Sequence, residues 1–221
     1  MQASCPAGYP SGMVARRLAK PVGVFVIALA AAGGYLAYGA AQKRAQQRHV
    51  AELVRDSTDK LRQSLGPNAS PELVTSIDTN LRSVKAPRDP ALADAAEQYI
   101  TGAREIARRR VAVAQLERKA AASRAALAGH MAHASRRNDA WLRDALALKK
   151  RVENDHFELD VTLKALDELF YTLPDSEKPL APRVGADALL DTTLAASARK
   201  EAQDELSRAA TELSRVRNIV P

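Results

Sequence analysis

Residues 142–173 read LRDALALKKRVENDHFELDVTLKALDELFYTL, and the spacing of their apolar members decides the fold class. Leu142, Ala145, Lys149, Val152, His156, Leu159, Leu163, Leu166, Phe170 and Leu173 follow at alternating intervals of three and four, and eight of these ten positions are apolar. A strand would alternate every second residue, whereas this rhythm is the seam of an α-helix that packs on other helices. Leu173-Pro174 is expected to end that helix.

The remainder of the chain agrees with an all-α fold. Of 221 residues 44 are Ala, while only 10 are Gly and 9 are Phe, Trp or Tyr. Glycine-dependent phosphate loops and the β-branched and aromatic filling of sheets are therefore in short supply. Upstream, Val50, Val54, Ser57, Leu61 and Leu65 form a helical stripe that Gly66 and Pro67 close. Ser70 and Pro71 start a second helix with Leu73, Ile77, Leu81 and Val84 on its face, and Lys85-Ala86-Pro87 stops it. Asp89-Pro90 starts a third, whose face runs through Leu92, Ala96, Tyr99, Ala103 and Ile106 and, after a basic interruption, Val113, Leu116, Ala120, Leu127 and Met131. Gly129 to Asp139 is the expected turn. The segment Asp175 to Val184 has two prolines and is expected to be extended or looped. A last helix then carries Leu190, Leu194, Ala198, Ala202, Leu206, Ala209, Leu213 and Val216, with Asp187 and Asp191 at its positive end and Arg215 and Arg217 at its negative one. The expected helices are 43–66, 71–85, 90–128, 139–173 and 186–217.

The N-terminal part has a different character. Between Lys20 and Lys43 lie 22 uncharged residues, Pro21 to Gln42. As a helix they would reach about 33 Å, enough to cross a hydrocarbon layer of about 30 Å. Arg16, Arg17 and Lys20 precede the stretch, Lys43 and Arg44 follow it, and Tyr35 and Tyr38 fall near its end, where amphipathic rings favour a membrane interface. The rival reading is a cleaved signal peptide, whose apolar core usually runs only about 7 to 15 residues. The expected organisation is thus a basic tail over 1–20, a single N-terminal transmembrane anchor helix over 21–42, and an elongated helical bundle or coiled-coil hairpin domain over 43–221. The basic tail favours a cytoplasmic N-terminus in a bacterial inner membrane, with the C-terminal domain in the periplasm.

The chain carries 33 basic and 26 acidic residues, a formal +7, but from Ala41 onward the excess is four. That balance is mild, and Arg108-Arg109-Arg110 ring their helix instead of forming one patch, with no aromatic residue beside them to stack bases. They read as a solvated helix surface, and nucleic acid is not an expected partner. Cys5 alone excludes an internal disulfide framework. There is no HExxH, CxxC, EF-hand, GxxxxGK or GxSxG motif, so no cofactor, small-molecule substrate or catalytic residue is expected. His130 and His133 share a helix face but have no carboxylate or cysteine at a matching interval; two residues at a turn is the better reading, and no metal is expected.

The residues carrying function are therefore expected on the seam of residues 142–173: Leu142, Val152, His156, Leu159, Leu163, Leu166 and Phe170, with Trp141 as a packing anchor. A polar residue in such a seam sets register at a cost in stability, so His156→Leu would raise thermal stability if His156 sits at a helix contact. The expected function is a non-enzymatic envelope scaffold whose helical faces recruit partner proteins or a second copy, with the bilayer as its other partner. The alternative is an extracytoplasmic sensory module acting through a partner protein.

Overall fold

The computed structural model describes residues 14–66, 69–84, 89–133, 138–190 and 193–217, with side chains from Tyr35 onward except 193–195, 197 and 198. All elements among them are helical: α1 Val14–Leu65, α2 Pro71–Ser83, α3 Pro90–Ala132, α4 Asp139–Glu177, α5 Ala181–Val184, a 3-10 turn Ala186–Ala188, and α6 Thr193–Arg217. The chain divides into two units, residues 1–46 and 47–221.

In the first unit, residues 21–42 are helical. Among the described residues, however, no helix is long and apolar enough to cross a membrane. The transmembrane anchor expected over 21–42 is therefore not supported among the described residues, and side chains are described only over its last third, from Tyr35. Arg16, Arg17 and Lys20 lie outside the described side chains, while Lys43 and Arg44 are exposed.

The second unit is built on the expected stripes. Val50, Val54, Ser57, Leu61 and Leu65 are all buried along the end of α1. Ser57, Thr58 and Ser64 turn their hydroxyls onto the carbonyls of Leu53, Val54 and Leu61, at 2.7, 2.9 and 2.7 Å, which lets polar residues sit inside a helix contact. On α2, Ile77 is buried and Leu73, Leu81 and Val84 half-buried, with Asn80 turned inward to donate to Asp56 at 2.6 Å and Ser57 at 3.0 Å. Ser70 stands at the N-cap position without capping the backbone. Its hydroxyl bonds the Glu72 carboxylate and holds it below the ordinary value.

Helices α3 and α4 form an antiparallel hairpin, since Gly102 meets Leu173, Lys119 meets Asp155 and His130 meets Trp141. Helix α6 runs antiparallel to α4, bringing Arg199 to Asp167 and over the Phe170 ring at 5.5 Å. The three helices share a core of Ala, Leu and Val with Tyr99, Ile100, Ile106 and Phe170. Asp89 starts α3 as expected, accepting from the Leu92 N–H at 3.3 Å, and it also pairs with Arg183 at 2.7 Å.

Three boundaries differ from expectation. Helix α3 continues to Ala132, past the expected start of the turn at Gly129, because Leu127 is buried and Met131 packs beside it against α4 and α6. Helix α4 runs through Pro174 to Glu177. An interior proline removes one backbone bond. Here buried Phe170 and Leu173 hold the segment down, and Ser176 donates to the Leu173 carbonyl at 2.7 Å. Finally, the stretch expected to be a loop, Asp175 to Val184, is part of the core through buried Leu180 and Val184, and so is the expected start of the last helix, where Ala188, Leu189 and Leu190 are buried. It folds as α5 and the 3-10 turn about Gly185, whose φ of +87° suits a residue without a side chain, and α6 begins only at Thr193. Leu194, Ala198 and Asp191 lie outside the described side chains or residues.

Candidate functional site

The seam of α4 faces inward, and its residues are used within the chain. Val152, Leu159, Leu163, Leu166 and Phe170 are buried against α3 and α6. Two positions depart from expectation. Trp141, not Leu142, turns inward at the start of the helix, leaving Leu142 38% exposed. Asp155, not His156, is the inward residue in the middle, and His156 is half-buried.

Each departure has a local cause. The Trp141 indole stacks on the His130 ring with centroids 5.1 Å apart and planes 15° apart. Its indole N–H donates to the His130 carbonyl at 3.4 Å, and a His130 ring nitrogen sits 3.0 Å from the Trp141 carbonyl. Asn138 caps the helix by accepting from the Trp141 N–H at 2.8 Å. His133 binds the Gly129 carbonyl at 2.8 Å. His130 thus ties the end of α3 to the start of α4, while His133 bonds only within its own helix end. Among the described residues no group of three His, Cys, Asp or Glu side chains is placed to hold a metal ion.

Asp155 turns inward because a cation waits there. Lys119 of α3 reaches it at 2.9 Å and Glu158 at 2.8 Å, and both carboxylates raise the Lys119 pKa. The same exchange occurs on α6, where buried Glu205 takes the inward place beside half-buried Leu206 and receives Arg124 at 2.8 and 3.2 Å. A bidentate guanidinium–carboxylate pair fixes geometry as well as charge.

A third cation of α3, Arg110, departs from the solvated surface expected for Arg108-Arg109-Arg110. Arg108 and Arg109 are exposed and pair with Glu105, but Arg110 is only 2% exposed and is the largest fully buried side chain. Its contacts to Glu117 and Glu201 are long, 3.4 Å each, and its Nε has no hydrogen-bond partner. Burial pushes the Glu117 carboxyl above its ordinary value, opposed by Arg110. A charged layer thus crosses the α3–α6 contact and sets the register of two otherwise alanine-rich faces.

A second polar cluster joins the end of α1 to α3 and to the segment after α4. The Tyr99 hydroxyl and Thr58 Oγ1 are 2.8 Å apart, and burial pushes the Tyr99 pKa up to about 12. Arg62 donates to the carbonyls of Leu189 at 2.7 Å and Asp187 at 3.3 Å, clamping the 3-10 turn onto α1. Glu177 is raised by burial and stabilised by the Leu190 N–H, with its other oxygen buried and unpartnered. These groups interlock helices. Among the described residues one surface groove, on α3, is lined by Asp94, Glu97, Gln98 and Thr101.

What is left for contact with other molecules is the outer face of α4. Leu142, Leu146, Phe157, Val161 and Tyr171 are 38, 41, 67, 48 and 87% exposed. At 100° per residue all five fall within about 100° of arc, on the side of the helix away from the buried seam. Isolated exposed apolar residues are ordinary, but a stripe along a single helix is not. No protein-family model, curated protein or solved structure matches this chain.

Proposed function

We propose that the chain is a membrane-anchored, non-enzymatic helical scaffold or assembly component of a bacterial cell envelope, acting through helix–helix contacts. The observation that carries this reading is the outer face of α4, where five large apolar side chains are presented on a helix whose opposite face is already buried. The perturbed ionisable groups support it as well: Tyr99, Glu117 and Glu177 are shifted chiefly by burial between helices that they hold together. The anchor rests on the uncharged stretch Pro21 to Gln42 and its basic flanks. At its described end Tyr35, Leu36 and Tyr38 are 78, 71 and 67% exposed, as suits side chains facing lipid. The basic tail supports an inner-membrane position with the helical domain in the periplasm.

One observation favours a second reading, an extracytoplasmic signalling module working through a partner. Arg110 holds α6 by long contacts and keeps an unpartnered Nε, so a displaced α6 could find a second set of pairings. The scaffold reading is tested by fractionating cells that express a C-terminally tagged chain and treating intact and outer-membrane-permeabilised cells with protease. Recovery in the carbonate-washed membrane pellet, with the tag cleaved only after permeabilisation, supports it. Recovery in the supernatant overturns the anchor, and cleavage only after inner-membrane lysis reverses the topology.

A further inference from the structure

We propose that the outer face of α4 is a self-association surface that pairs with the same face of a second copy of this chain, antiparallel and about a two-fold axis. This rests on the scaffold reading above and names its partner. Along the exposed arc the residues run Leu142, Leu146, Lys150, Glu153, Phe157, Val161, Lys164, Glu168, Tyr171, over about 44 Å of helix. Apolar pairs and charged pairs alternate.

When two such stripes are laid antiparallel, one register makes four matched pairs and leaves only Leu142 beyond the last of them. Lys150 meets Glu168, Glu153 meets Lys164, Phe157 meets Val161, and Leu146 meets Tyr171. The four pairs are centred on residue 159 or half a residue before it, close enough to one axis for an isologous two-fold contact. The ammonium of Lys164 is already steered by Asp160 at 2.6 Å on its own helix. A parallel arrangement would set Lys150 against Lys150 and Glu153 against Glu153, and like charges in register select against it. The charge order therefore specifies both the occupant and its direction. Phe157 and Val161, flanking the axis, form the apolar centre, and the lysine–glutamate pairs form its rim.

The test uses the purified full chain in mild detergent. Sedimentation equilibrium is expected to find a dimer at about 100 µM chain, a concentration suited to a modest interface. The variants Lys150→Glu/Lys164→Glu and Glu153→Lys/Glu168→Lys each place like charges in register, and each is expected to raise the dimer dissociation constant about tenfold or more. An equimolar mixture of the two restores association as a heterodimer. All four positions are exposed, so the variants keep the wild-type helical signal. Phe157→Glu, at the centre, weakens association by a comparable factor. Orientation is read in a Cys5→Ser background, where Leu146→Cys forms a disulfide with Tyr171→Cys faster than with itself. A monomeric wild type, charge variants that associate like wild type, or faster Leu146→Cys self-coupling overturns the proposal. A wild-type monomer that is still recovered in the membrane pellet would remove the second copy and leave the anchored scaffold standing.

Discussion

The guanidinium of Arg110 and the carboxylate of Glu117 lie two helical turns apart on α3 and meet inside the bundle, one nitrogen standing 3.4 Å from both carboxylate oxygens. Both side chains are largely withdrawn from water, at 2 and 16% exposure, whereas their partner Glu201 on α6 is 65% exposed. Contacts of this length return only part of the solvation that Arg110 has lost.

Replacing the whole pair and removing one partner should therefore have different effects. Arg110→Met/Glu117→Leu fills the same space without charge and is expected to leave stability unchanged or raise it by about 1 kcal/mol. Glu117→Ala alone strands a buried guanidinium and is expected to cost about 3 kcal/mol. Urea titration followed by circular dichroism separates the two, and a large loss in the double variant would mean that the pair stabilises the fold outright.

Glu177 gives the bundle a pH dependence of known sign. Burial raises its folded pKa above the ordinary 4.5, so the native state binds the proton more tightly than the unfolded chain. Stability is then fully present below the unfolded value and declines as pH rises from there through the folded value. Glu177→Gln keeps an acceptor for the Leu190 N–H and removes the charge. The variant should melt higher than wild type at pH 7 and show no gain at pH 4. Equal melting temperatures at both pH values would contradict this.

The Tyr99 phenol adds a second titration at the alkaline end. Its pKa, pushed from 10 to about 12, means that the folded state keeps a proton the unfolded chain releases, so stability falls between those values. Tyr99→Phe loses the contact with Thr58, while Thr58 still donates to Val54. The expected cost is about 1 kcal/mol at pH 7, with a flatter alkaline limb in a pH series of thermal melts.

Gly185 is the backbone hinge of the segment that clamps onto α1. Its φ is +87°, and a Cβ there would stand 2.6 Å from Asp187 Oδ1. Gly185→Ala should destabilise by about 1 to 2 kcal/mol. Adding Asp187→Ala relieves the collision but not the backbone strain, so only part of the loss should return. Full recovery in the double variant would show that the collision alone mattered.

The stripe of α1 from Val50 to Leu65 was legible in the sequence because every member is apolar or a small hydroxyl residue that satisfies itself on its own helix. The seam of α4 was legible from Leu159 onward, where apolar residues hold the rhythm without competition. It slipped near Asp155, because the inward position there is chosen by a cation on another helix and not by hydropathy. Glu205 on α6 replaced Leu206 for the same reason. Arg110 had a visible signal: it stands four residues after Ile106 and three before Val113, inside the unbroken rhythm of α3. Its charge argued for the surface, and only long-range pairing with α6 made burial tolerable. The proline-bearing segment after α4 differs from expectation because Leu180 and Val184 make too short an apolar repeat between two prolines to announce a helix, and their burial depends on where α1 and α3 lie. With Asp155 facing inward and His156 half-buried, His156→Leu is expected to change stability by under about 0.5 kcal/mol, as for a residue outside the core.

The outer stripe of α4 escaped notice for a related reason, since its apolar residues are diluted by Lys150, Glu153, Lys164 and Glu168, and exposure is not written in composition. The most direct measurement places a photo-crosslinking amino acid at Phe157 in the full chain, in intact cells, with Glu97 on the outer side of α3 as the comparison position. The account predicts a covalent protein adduct from position 157 in the membrane fraction and little from position 97. Equal labelling at the two positions, or no adduct at Phe157, would contradict it.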